Sequence, residues 1–238
     1  MKKIITLALL VLGTSMAFAQ KKVAVVTFYA DKIVDLSDLG GLVSLAAVTQ
    51  LKDDPDFNLK PLLEKYHDKF FNAYAKSFPF ELLPEATVTG NKEYQAFKPT
   101  LVGIDQDMSY FQTYEGYVAI APTLSSANVQ GMLKLFPEAD GVLYIYIKFA
   151  LNKGFGVGGT ATTKMQAYTH LALYNKKGDN VFAINEHANS KKTGVMVGGV
   201  PVMKPEKLLP MCESALDELM EDLDGRLDKI IKKTNKKL

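Results

Sequence analysis

The run VLYIYIKFAL at 142–151 alternates so that Leu143, Ile145, Ile147 and Phe149 share one side and Tyr144, Tyr146 and Lys148 the other. A side-chain period of two belongs to a strand, so this segment predicts a β-strand with one apolar face. Two further strands, 162–174 and 181–188, flank Lys176-Lys177-Gly178-Asp179, which reads as a hairpin turn. Setting Asn175 against Asn180 brings Leu173 to Phe182 and Leu171 to Ile184, whereas a one-residue slip would mix apolar and polar sets. In that register the opposite face collects Tyr168, His170, Tyr174, Asn185 and His187, with the two histidines as diagonal neighbours. If strand 142–151 lies beside the hairpin, Tyr144 and Tyr146 join them in an aromatic, hydrogen-bonding surface suited to partner or glycan contact. Helices lying over this face would reduce it to a rim of hydroxyls, and the sequence leaves both arrangements open.

Upstream, the continuous β-branched run 23–28 fits a strand buried on both faces. Residues 33–51, with Gly40-Gly41 inside, predict a loop and a short helix. Leu62, Leu63, Tyr66, Phe70 and Tyr74 recur at helical steps over 59–76. His67 falls outside that stripe and is expected on the solvated side. A second strand is expected over 78–83, ended by Pro84. Segment 85–122 reads as an irregular insertion with a helical turn at 91–97 and an extended piece at 113–120. A helix at 125–136 has Ser125 or Ser126 as N-cap. The chain ends in a helix over 207–233, whose stripe is Leu208, Cys212, Ala215, Leu216, Leu219, Leu223, Leu227 and Ile230; Pro210 predicts that regular helix starts only there. The acids of this helix precede its lysines, an order that complements the helix dipole, with contact of the basic tail to anionic lipid as the alternative. The expected fold is α/β: a mixed sheet of about five strands packed with helices, in the order strand-helix-strand-helix-strand-hairpin-helix, with a long C-terminal helix.

Residues 1–19, MKKIITLALLVLGTSMAFA, combine two lysines, an apolar core too short to span a bilayer and a small-x-small site ending at Ala19. A cleaved signal peptide is expected, with Gln20 as the new N-terminus, no cysteine at the cut for lipidation, and a periplasmic or secreted product forming a single α/β domain over 20–238. Removing Lys2 and Lys3 from the 28 basic residues leaves 26 against 26 acidic, a formal charge of zero. Such a chain lacks the basic footprint of nucleic-acid binding. Cys212 is the only cysteine, so no intramolecular disulfide can staple the fold and an apolar core must hold it.

The segment EADGVLYIYI, followed by the hairpin LALYNKKGDNVF and a terminal helix, resembles a group of bacterial envelope proteins. That group includes the N-terminal domain of TolB, the penicillin-binding-protein activator LpoB and the curli secretion protein CsgG. The resemblance lies in element order, does not extend to 85–122, and lacks the lipidated cysteine common among the activators. It implies a non-enzymatic role in envelope assembly or transport through protein contacts.

Two stretches, GFGVGGTATTK at 154–164 and GVMVGGVPVMK at 194–204, share the pattern G-x-x-V-G-G-x4-K. Neither is a phosphate loop, which needs Gly-Lys-Ser/Thr opening a helix, and no nucleotide or other cofactor is expected. They read either as two loops side by side or as a paired flap whose Phe155, Val157, Val195, Met196 and Val197 dock on a partner or a lipid surface. His170 and His187 lack a third metal ligand, since Glu186 points to the other face. Asp105-Gln106-Asp107 lacks the glycine and glutamate of a calcium loop. Cys212, on an apolar helix stripe, is expected to be an inert core thiol. No nucleophile constellation stands out, and no metal site is expected.

The expected function is a secreted or periplasmic, non-catalytic binding or assembly protein that contacts another cell-envelope component. The binding residues expected are Tyr144, Tyr146, Tyr168, His170, Tyr174, His187, Phe155, Val157 and Val197; the partner is an envelope protein, with a membrane surface or glycan as alternatives. The other classes left open are an extracytoplasmic hydrolase using carboxylates on glycan or peptide, and a small-ligand binding protein. Exported material should begin at Gln20; intact-mass measurement tests this, and retained Met1 or an added acyl mass would refute it.

Overall fold

The computed structural model describes residues 21–39, 51, 53–100, 110–157, 160–201 and 204–234. The expected leader, the end of the 33–51 loop-and-helix segment, Asp105 and Asp107, Gly158-Gly159 and the last lysines lie outside them. The fold is α/β. The strands are β1 (Lys22–Asp31), β2 (Glu81–Leu82), β3 (Phe111–Thr113), β4 (Gly141–Val157), β5 (Thr160–Asn175), β6 (Asn180–Val197) and β7 (Val200–Pro201). The helices are α1 (Lys60–Asn72), α2 (Glu85–Thr89), α3 (Lys92–Gln95), α4 (Ser126–Leu135) and α5 (Pro205–Thr234). They build a seven-stranded mixed sheet in the order β2-β1-β4-β5-β6-β7, with β3 also on β1. β1 runs parallel to β4, and β5 is antiparallel to both of its neighbours, β4 and β6.

The expected hairpin register is present: Leu173 faces Phe182, Leu171 faces Ile184, and Gly178 closes the turn at φ +86°. Leu143, Ile145, Ile147, Phe149 and Leu151 then fall on one face with Leu171, Leu173, Phe182 and Ile184, under α1 and α5. A second apolar cluster on the opposite face joins Ala24, Val26, Val142 and Tyr144 to Val129, Met132 and Phe136, with Tyr94 from α3. β1 thus lies between two cores, the physical reason for its unbroken apolar run.

Several expectations are corrected. His67 is 5% exposed, not on a solvated surface. Its Nε2 lies 2.7 Å from Glu85 Oε1, which also accepts the Tyr117 hydroxyl, and its ring stacks on Tyr114. The insertion supplies this cover, which the wheel of α1 alone cannot reveal. Segment 78–83 contributes only the two-residue β2, because Phe78 and Phe80 turn into the core, where Phe78 meets Phe182 edge-on. Segment 113–120 is strand only at β3; beyond it, side chains hold the backbone. Thr27 Oγ1 donates to the Val118 carbonyl and accepts from Ile120 N–H, while Tyr94 OH donates to the Val26 carbonyl and accepts from Val118 N–H. Helix α5 starts at Pro205 and continues through Pro210; Pro210 is its sixth residue, so a single intrahelical bond, to the Glu206 carbonyl, is forgone.

The stripe of α5 is buried as expected from Leu208 to Leu227, with Ile231 also buried. Among the described residues no helix is long and apolar enough to cross a membrane. Cys212 is fully buried, and desolvation pushes its thiol well above the usual range. Native protein should therefore resist a thiol reagent until it is unfolded. Rapid native labelling, read by mass, would contradict the inert assignment.

Candidate functional site

Side chains opposite to the α5-covered face divide into three zones along β4–β6. Nearest the Gly178 turn, Tyr144 is fully buried in the second core, where Tyr174 meets it edge-on and α4 packs over it. Tyr144 is therefore removed from the expected binding surface, and Tyr174 is half-buried behind it. The covering-helix alternative holds for this zone only.

The middle zone is a belt. Across neighbouring strands, Phe111, Tyr29, Tyr146 and His170 follow one another, with centroid separations of 4.8, 5.1 and 4.7 Å. Two residues further along lie Asp31, Lys148, Tyr168 and His187. Lys148 Nζ sits 5.3 Å over the Tyr168 ring, whose hydroxyl bonds Gln166 Oε1, and Tyr168 leans on exposed His187. His170 donates Nδ1–H to Asn185 Oδ1, which leaves its Nε2 as an acceptor without a partner among the described residues. Burial holds the His170 pKa below its usual value, opposed by the Asn185 hydrogen bond and aided by the nearby Lys148. Burial also raises the Asp31 carboxyl from 3.8 to about 6, although the Ile33 N–H and Lys148 oppose the shift. His170 and His187 are diagonal, as expected, and among the described residues no group of three metal-ligating side chains forms.

The far zone is apolar. Among the described residues, the two glycine stretches are mostly paired strand: β4 runs through Val157, β6 runs to Val197, and Val157 pairs with Thr160 while Val197 pairs with Val200. Gly198 and Gly199 both take positive φ, +62° and +80°, as a two-residue hairpin turn of the strand-matching hand requires. Gly156 is required for another reason: a Cβ there would lie 2.3 Å from that of Ala161. Gly156, Ala161 and Met196 share the α5 side, and Met196 is buried, which corrects its place in the expected flap. Phe155, Val157, Val195, Val197 and Val200 occupy the other side, exposed by 85, 77, 49, 60 and 49%. All five large hydrophobics exposed among the described residues lie here.

The β4 edge leading to this end is also paired. Asp35 exchanges backbone hydrogen bonds with Phe149 and Leu151, continuing the sheet beyond β1, and Asp38 accepts from Lys153 N–H. Beside the belt, between β6 and α5, a polar groove carries Glu186, Glu218 and Asp222, but Arg226 pairs with Glu186 and Asp222 and Lys191 with Glu218. Its charges satisfy one another.

Tyr29, Asp31, Phe111 and Val200 were not anticipated at this face. The apolar run of β1 hides which of its residues face which side, and the β3 partnership has no local signal.

No protein-family model matches the sequence, and no curated protein matches it significantly. Among solved structures, the chain is similar to the lipoprotein GNA1162 from Neisseria meningitidis, with 10% identity, TM-score 0.36, and coverage of 88% of this chain and 99% of that one. It is also similar to a neuraminyllactose-binding hemagglutinin homolog from Helicobacter pylori, with 8% identity, TM-score 0.38, and coverage of 92% and 91%. A third similarity is to the hypothetical protein CT253 from Chlamydia trachomatis, with 10% identity, TM-score 0.35, and coverage of 90% and 98%. None of the three descriptions names TolB, LpoB or CsgG. Similarities this loose assign neither family nor function.

The belt makes a pH prediction. The folded state binds the Asp31 proton more tightly than the unfolded chain does, so this stabilisation is complete below about pH 4 and is lost as pH rises through about 6. Asp31→Asn keeps an oxygen for the Ile33 N–H and removes the charge. It should match wild type near pH 4 and exceed it at pH 7 by up to about 3 kcal/mol in urea unfolding. Equal stabilities at both pH values would overturn the buried-carboxyl account.

Proposed function

We propose that this chain is an extracytoplasmic, non-catalytic binding protein that docks on another component of the cell envelope through the uncovered face of β4–β6. The observation that carries this reading is the placement of the five exposed hydrophobics on one side of one paired-strand end. Scattered apolar residues are ordinary on a protein surface, whereas a contiguous group marks a contact site. Because strands rather than loops present it, little conformational entropy is lost on docking. The belt extends the same face with aromatic rings and hydrogen-bonding groups, the composition of contact surfaces. The leader-like residues 1–19 support an extracytoplasmic setting.

The test is Val157→Asp with Val197→Asp. Both side chains are largely exposed, so the thermal midpoint should move little. Pelleting with native envelope should weaken at least about tenfold, since two charges would be buried on docking. Unchanged pelleting by a folded double variant would refute this assignment of the docking end.

A further inference from the structure

We infer that the apolar end of β4–β7 seats on an anionic lipid surface; this rests on the docking reading above and names the partner's chemistry. The second observation behind it is charge. The chain over 151–165 and 190–208 carries six lysines and a single carboxylate, Glu206, although the chain beyond the leader is neutral. Lys191 is engaged by Glu218 and Glu221. Lys153, Lys164, Lys192, Lys204 and Lys207 are exposed, and among the described residues none of the five joins an ion pair.

Their positions form a collar. Lys153 faces Thr163, and Lys164 faces both Asn152 and Thr193, two residues back from the Thr162–Val195 pair. Lys192 precedes Thr193 at the edge, Lys204 immediately precedes α5 and Lys207 lies in its first turn, just after β7. Lys164 shares the face of Val195 and Val197, and Lys153, opposite buried Thr163, lies on the α5 side. Cations thus flank the apolar tip on both faces, with long stems that can follow it while the ammonium groups stay in water. An apolar tip in a lysine collar complements acyl chains beneath phosphate headgroups. An apolar protein patch would need no collar, and a second copy of this end would bring two positive rings together. The apolar positions cover only three residues of β4, Phe155 to Val157, and the short β6–β7 turn, against about ten residues for a spanning strand. The contact is therefore interfacial seating.

The chain has no tryptophan, so Phe155→Trp places its only indole at the tip, excited apart from the tyrosines at long wavelength. With the full exported chain, its emission should shift to the blue on adding phosphatidylglycerol-rich vesicles, stay unchanged with phosphatidylcholine alone, and return in about 1 M salt, where the screening length falls to about 3 Å. Adding Lys164→Gln, Lys192→Gln and Lys207→Gln should weaken vesicle binding by roughly tenfold or more, with circular dichroism unchanged. Three outcomes overturn the inference: no shift with the anionic vesicles, an equal shift with neutral ones, or a concentration-dependent shift without lipid, which would assign the end to a second copy. If vesicles fail while Val157→Asp with Val197→Asp still abolishes envelope pelleting, the docking reading stands and the partner is a protein or glycan. If that pelleting is also unchanged, both fail.

Discussion

The apolar stripe of α5 lying along one face of β5 and β6 is the contact on which the rest of the molecule depends. Leu208, Cys212, Ala215, Leu216, Leu219, Leu223 and Leu227 bury against strand residues of a single parity. Residues of the other parity are thereby turned to the far side, whatever their chemistry. Length then decides what happens to that far side. At 1.5 Å per residue, the 30 residues of α5 reach about 45 Å, near the roughly 55 Å of the 17-residue β4. α4 has only 10 residues, about 15 Å, and covers Val142 and Tyr144 but not Phe155 or Val157. The open face exists because one layer is long and the other short.

The insertion is organised by a different force. Its described elements are brief, so buried polar groups hold what regular ladders do not. Thr27 and Tyr94 take up backbone groups of Val118 and Ile120 that would otherwise be unpaired in the core. Glu85 gathers the His67 ring and the Tyr117 hydroxyl on one oxygen. Removing a partner from such a network costs more than forming it gains, because the remaining group stays buried without water. These bonds join residues 91 and 93 positions apart, as with Thr27 and its two backbone partners.

Three described glycines of the two matching stretches serve geometry. Gly156 lets β4 approach Ala161, and Gly198-Gly199 reverse the chain into β7. Their common effect is a thin, paired end whose valines and Phe155 stand on one side. A softer loop could hide those residues by collapsing on itself; hydrogen-bonded strands hold them out in water.

Alternation and turn chemistry alone determined the central hairpin, its register, the strand beside it and the final helix, because each is encoded by neighbours a few residues apart. The same alternation placed Tyr168, His170 and His187 together on one face, Tyr146 joins them because β4 pairs with β5, and the glycine echo singled out Phe155, Val157 and Val197. What only the tertiary structure decided is cover. Tyr144 and Tyr146 share a face and a residue type, two positions apart, yet one is sealed under α4 and the other stacks between Tyr29 and His170. His67 has the wheel position of a surface residue and is buried by Tyr114 and Glu85 from a distant segment. Asp31 acquires its raised pKa from burial and sits with Lys148, a residue of another strand. Periodicity specifies the direction of a side chain relative to its own backbone; whether water meets it there depends on the length and docking of elements elsewhere in the chain.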